Sequence, residues 1–156
     1  LFQKEHLMHH ARHGYFTPNR LKITMATPPI MALAAVGSLL VGPALGVTFA
    51  VGFALMYCAY ELVHRRIHTH APTGAYSRYV RRHHLAHHFH DGMSNHGVTS
   101  PLWDWAFGTL LRIERVEVPR RYVPIWLGDE EGLRPEFGAD YVLKTTRRER
   151  ETSSAA

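Results

Sequence analysis

The sequence predicts an all-α, integral-membrane fold in which a helical hairpin carries a histidine-rich helical cap. Three observations lead to that expectation. From Ile23 to Tyr60 the chain has no charged residue and no histidine. Gly42-Pro43 interrupts this run near its middle. Histidines recur on either side of it at helical spacings: His6, His9 and His10, then His64 and His68, then His84, His87 and His88. With about 3.6 residues per turn, positions i, i+3 and i+4 share one helix face.

The first element is a helix within residues 1–22 that carries His6, His9 and His10, broken by Gly14 and Pro18. The apolar run of 38 residues would make about 57 Å of helix, too long for one bilayer core of about 30 Å. It must turn, and Gly42-Pro43 supplies the turn, with Pro43 in the first turn of the second helix where its missing N–H costs nothing. The expected hairpin is Thr27–Val41 and Pro43–Tyr60, its first helix started by Pro28-Pro29. So long a charge-free stretch favours a membrane over a buried hairpin in a soluble domain.

Both open ends of a hairpin lie on one side of the bilayer. Arg12, Arg20 and Lys22 precede the run, and Arg65, Arg66, Arg78, Arg81 and Arg82 follow it. Such flanks mark the cytoplasmic face and attract anionic headgroups. The membrane would be a bacterial inner membrane, or the endoplasmic reticulum in a eukaryote. Arginine outnumbers lysine fifteen to three, a bias of high-GC bacterial coding sequences.

The second hairpin helix is expected to continue through Glu61, His64 and His68 until Ala71-Pro72-Thr73-Gly74 ends it. Another helix, from Tyr76 to His88, carries the third histidine group. Trp103, Trp105 and Phe107 with Leu102, Leu110 and Leu111 make an aromatic–aliphatic block, either core or an interfacial helix. The hairpin at 23–60 and the metal-binding segments 1–22 and 61–111 form one domain, 1–111. Residues 112–143, with Asp129, Glu130 and Glu131, read as an irregular cytoplasmic extension, and 144–156 as a disordered tail.

The formal charge of +5 and pI of about 9.7 would suit a nucleic-acid binder. The basic residues flank the apolar run instead, so a membrane surface is the expected partner and nucleic acid is not. The single cysteine, Cys58, excludes an internal disulfide, thiolate-rich zinc sites and iron–sulfur clusters. Imidazole suits iron, zinc, copper and nickel, and three clusters offer enough nitrogens for two ions. A carboxylate-bridged di-iron bundle fails on supply: the first 110 residues contain only Glu5, Glu61, Asp91 and Asp104, with no second E-x-x-H. H-E-x-x-H, G-x-S-x-G and Gly-rich phosphate loops are absent. The apolar run holds no ligand for an ion in transit. A lipid whose tail reaches the metals while its head stays at the interface fits best.

Glu61, one turn before His64, either orients that ligand through its other ring nitrogen or pairs with Arg65 at i+4. His13, His83, His90 and His96 read as surface or outer-sphere residues, with His83 or His90 able to stand in for a neighbour.

Taken in order, HLMHH, HRRIH, HHLAHHFH and NHGVTSPLWDWAFGT resemble the fatty acid hydroxylase / sterol desaturase superfamily of integral-membrane di-iron enzymes, from Glu5 to Leu111. The resemblance implies His6, His9, His10, His64, His68, His84, His87 and His88 as ligands of two iron ions, with zinc as a substitute. It implies dioxygen-dependent hydroxylation, or desaturation, of a fatty acyl chain, sterol or carotenoid in lipid biosynthesis. An external electron donor is implied too, because no flavin, haem or pyridine-nucleotide motif is visible. The pattern departs at Thr69, where some relatives carry a histidine, with His70 beside it, and lacks the family's additional upstream histidine box. With Leu1 in place of an initiator methionine, a truncated member short of ligands and inactive alone is expected. The competing reading is a non-catalytic membrane metal- or haem-binding protein, which would need two axial histidines rather than eight in boxes.

Overall fold

The computed structural model describes residues 2–12, 14–129 and 131–144. The expectations for His13, for Glu130 and for the tail 145–156 therefore lie outside the described residues. The chain is mostly helical and divides into two compact units, Leu1–Arg65 and Arg66–Ala156. Its helices are α1 (Phe2–Ala11), α2 (Asn19–Val41), α3 (Pro43–Thr69), α4 (Ala75–Phe89) and α5 (Leu102–Phe107), and its strands β1 (Val116–Val118) and β2 (Tyr141–Leu143).

In the first unit, α2 and α3 are long and apolar enough to cross a membrane. No residue of α2 is buried, and Leu39, Leu40, Leu45, Phe49 and Leu55 stand outward. A continuous apolar surface of that kind belongs in lipid rather than in water. The turn rests on Gly42, whose φ of 89° is left-handed and favours glycine. Just beyond it the two backbones meet: a Cβ on Gly46 would lie 2.2 Å from the Ser38 nitrogen. Close approach through small residues is how apolar helices pack where no hydrophobic drive separates them from lipid.

One expectation fails here. The first hairpin helix begins at Asn19 rather than Thr27, and Pro28 and Pro29 lie inside it. Each proline forfeits one i→i−4 bond, but the residues on both sides continue the helix. Thr24 and Thr27 donate their hydroxyls to the carbonyls of Arg20 and Ile23, both at 2.8 Å. Side-chain bonds of this type help make proline tolerable in membrane helices.

The second unit is built on α4. Leu85, Ala86 and Phe89 pack against Val116, Val118, Trp126, Leu127, Phe137 and Tyr141. β1 and β2 pair in parallel, Val116 opposite Tyr141 and Val118 opposite Leu143. Residues 112–143, read from sequence as irregular, thus supply most of this core. Three-residue strands separated by Pro119, Pro124 and Pro135 leave no periodicity to read.

Arg81 is buried rather than a lipid anchor. Its Nε donates to the His70 carbonyl, Nη1 to Ser77 and Nη2 to Arg66, each at 2.9 Å. The guanidinium fork thereby binds carbonyls at the C-terminal end of α3, that of Arg66 sharing its oxygen with the His70 N–H at 3.0 Å. Trp126 Nε1 donates to the Ile67 carbonyl at 2.9 Å and holds the same helix end. Arg78 and Arg82 bind Asp140, at 3.3 and 3.2 Å.

Candidate metal centre

In the first unit α1 presents His6, His9 and His10, and α3 presents His64. His6 and His10, one turn apart, bring their Nε2 atoms to 3.1 Å. His9 faces His64 edge-on, ring centroids 4.6 Å apart. The H-x2-H-H spacing therefore divides: the i and i+4 members pair, and the middle one turns to α3. His9 is buried and donates Nδ1–H to the Tyr15 carbonyl at 2.9 Å. That bond leaves the lone pair on Nε2, the arrangement a metal-binding imidazole needs. Burial, helped by His6 and Lys22, outweighs the Tyr15 bond and the Glu61 charge and lowers the His9 pKa, which favours the neutral ring.

In the second unit His68, at the end of α3, meets His84 and His88 of α4. The His84 Nε2 lies 3.0 Å from the Nε2 of His68 and 3.0 Å from that of His88. A neutral imidazole nitrogen is either one donor or one lone pair, so these contacts cannot both be ideal hydrogen bonds. One cation accepting all three lone pairs resolves the crowding. Two nitrogens about 2.1 Å from one ion, at right angles, are about 3.0 Å apart. The donor set therefore fits a nitrogen-liganded metal ion. His87 lies beside them, its ring 5.8 Å from His84, and donates Nδ1–H to the Ser94 carbonyl at 2.7 Å.

The remaining histidines separate clearly. His83 is not at the surface: it is buried, with Nε2 donating to Asp104 Oδ2 at 2.9 Å. His90 is exposed and accepts the Glu117 N–H, His96 bonds the Met93 carbonyl, and His70 bonds its neighbour Thr69. Glu61 is ion-paired with Lys22 rather than Arg65, whose guanidinium lies 5.0 Å above the Phe16 ring. A lysine on the facing helix competed for Glu61, and sequence spacing along one helix cannot reveal it.

Two residues that sequence reasoning passed over fasten the loop after α4. Asp104 is 1% exposed. Its Oδ1 accepts from the His96 N–H and the Thr109 hydroxyl, and its Oδ2 from His83 and the Gly97 N–H, all at 2.8–2.9 Å. Burial alone would raise this carboxyl, but the four bonds outweigh it and hold the pKa below its ordinary value. Gly97 approaches so closely that a Cβ would sit 2.1 Å from the Ser100 carbonyl oxygen. Asn95, left-handed at φ 55°, bonds the carbonyls of His83 and Leu111 and accepts the Leu111 N–H. One signal was available: Asp104 is the only charged residue between Gly97 and Leu111.

Within the first unit, a cavity of about 530 Å³ begins at His6, His9 and His64 and continues between α2 and α3 along Met25, Ile30, Phe53 and Met56. From His64 to Phe53 is about 16 Å along α3. An extended chain advances about 1.2 Å per bond, so this depth suits roughly a dozen methylenes.

The fatty acid hydroxylase family matches residues 1–109. A fatty acid 2-hydroxylase of Homo sapiens is 32% identical over 116 residues, 67% of this chain and 30% of that protein. A ceramide very long chain fatty acid hydroxylase of Schizosaccharomyces pombe is 30% identical over 115 residues, 70% of this chain and 33% of that protein. A dihydroceramide fatty acyl 2-hydroxylase of Arabidopsis thaliana is 35% identical over 72 residues, 46% of this chain and 30% of that protein. The chain thus spans about a third or less of the length of these relatives. No solved structure matches it.

Proposed function

The chain belongs to the fatty acid hydroxylase family, and from that membership we propose that it serves the dioxygen-dependent hydroxylation of a lipid acyl chain. One observation carries the reading: the cavity that begins at three histidines and is walled beyond them by apolar side chains of α2 and α3. A headgroup held near the Lys22–Glu61 pair would leave an acyl tail to run between the helices, past Met25 and Ile30. Hydroxylation is favoured over desaturation, and an acyl chain over a sterol or carotenoid, because the relatives are named as fatty acid and ceramide hydroxylases.

In this reading His6, His9, His10, His64, His68, His84, His87 and His88 hold two iron ions, and zinc can occupy the same imidazoles. When bound, the metals supply activation of dioxygen toward an unactivated C–H bond. The Tyr15 and Ser94 carbonyls fix the rings of His9 and His87 through Nδ1. The apolar cavity wall excludes water and orients the tail. One oxygen atom enters the C–H bond and the other leaves as water, so two electrons and two protons must come from a separate redox partner. Residues 1–111 carry this function, and 112–143 brace α4.

Comparing lipid extracts from cells with and without the intact gene, grown under 18O-labelled dioxygen, tests the reaction. Gene-dependent hydroxylated acyl chains carrying one labelled oxygen are expected. Hydroxylated lipids identical in the two extracts, or without label, would refute the proposal.

The arginines around the hairpin support a cytoplasmic position for the histidines. In a Cys58→Ser background, Arg20→Cys and Arg65→Cys should both resist a membrane-impermeant thiol reagent in intact cells and react after lysis. Labelling of either from outside overturns that topology.

A further inference from the structure

Helix α5 is inside-out. Its only buried residue is the carboxylate Asp104, fastened by four hydrogen bonds. Its large apolar residues face outward: Trp103 is 65% exposed, Trp105 69% and Phe107 76%. A helix in water arranges these the other way round. Beside it opens a cavity of about 620 Å³, with apolar walls at Leu102, Trp105, Leu110 and Ile113 and the cations Arg82 and Arg112 on its lining. Arg82 is shared with Asp140, whereas Arg112 is exposed.

We propose that α5 and this cavity form a docking site for an anionic phospholipid, so that the second unit has its own contact with the bilayer surface. The tryptophans supply the amphipathic rings that sit at headgroup depth. Arg112 supplies positive charge for a phosphate near an anionic surface, and the cavity walls receive part of an acyl chain. A protein partner or a second copy would also cover the exposed aromatics, but a phospholipid is favoured because its anionic head and apolar tail together match the arginines and apolar walls lining one cavity. The Asp104 network has the matching task of holding a short helix against its own polarity. This site rests on the chain's association with a membrane and not on its chemistry.

The chain has three tryptophans, and Trp126 lies in the core of the second unit. Fluorescence of the full chain in nanodiscs with brominated acyl chains therefore reads α5 against an internal reference. Up to about two thirds of the emission should be quenched, more strongly with phosphatidylserine than with phosphatidylcholine alone. The Trp103→Phe/Trp105→Phe double variant should lose that component, and Arg112→Gln should lose the preference for phosphatidylserine. Quenching of the α5 tryptophans by aqueous iodide but not by brominated lipid would overturn the proposal by placing α5 in water. Protection from both quenchers would overturn it too, since a protein surface would then cover α5. The labelled-dioxygen experiment can succeed or fail independently of either result.

Discussion

Replacing His84 with alanine should strip metal from the protein and end the proposed lipid hydroxylation. His84 Nε2 is the shared neighbour of the His68 and His88 nitrogens, at 3.0 Å from each. Loss of an outer partner of a metal ligand lowers affinity or activity by roughly 10–100-fold, and loss of the central ligand should exceed that. His88→Ala should behave alike, because it removes a second nitrogen from the same trio. His70→Ala is the control, since that exposed ring bonds only its neighbour Thr69 among the described residues and should leave metal content unchanged. Metal is counted by mass spectrometry on purified protein, a readout independent of turnover, with circular dichroism to confirm helix content. His84→Gln, which fills most of the space without an imidazole, separates loss of a ligand from loss of packing. Full metal occupancy in folded His84→Ala and His88→Ala would remove these two histidines from the site.

Asp104→Asn, although nearly isosteric, should destabilise the second unit almost as much as Asp104→Ala. Each carboxylate oxygen accepts two donors, so an amide group in either place faces two N–H or O–H groups it cannot accept. Leaving a buried donor without its acceptor typically costs about 1–3 kcal/mol, more for a charged group. His83 loses its partner, and the loop from His96 to Thr109 loses its fastening. The native carboxyl titrates below its ordinary value, so its contribution is fully present above about pH 4 and fades as pH falls through the lowered native pKa. Thermal unfolding followed by near-ultraviolet circular dichroism should show a lower midpoint for both variants, and wild type and variant should converge on acidification. A wild-type midpoint for Asp104→Asn at neutral pH would end the claim that this carboxylate organises the loop.

Local repetition is what the sequence by itself determined. The charge-free run and its Gly-Pro break specified two helices and their turn, because bilayer thickness and helical rise leave few alternatives for 38 apolar residues. Histidines at i and i+4 specified which rings could meet on one helix, and His6 with His10 and His84 with His88 do meet. Tertiary structure decided what depends on a partner distant in the chain. Pro28 and Pro29 became interior because helix continues on both sides of them. Glu61 went to Lys22, 39 positions away, over a neighbour one turn along. Arg81 reads in the sequence as a surface cation, yet three carbonyls arranged by the end of α3 and the start of α4 take its whole fork. Asp104 was pulled inward and its tryptophan neighbours turned out because four donors converge on one carboxylate. Periodicity records how a residue relates to its own helix, whereas a buried charge is placed by whichever groups the fold brings to meet it, and those leave no repeat along the chain.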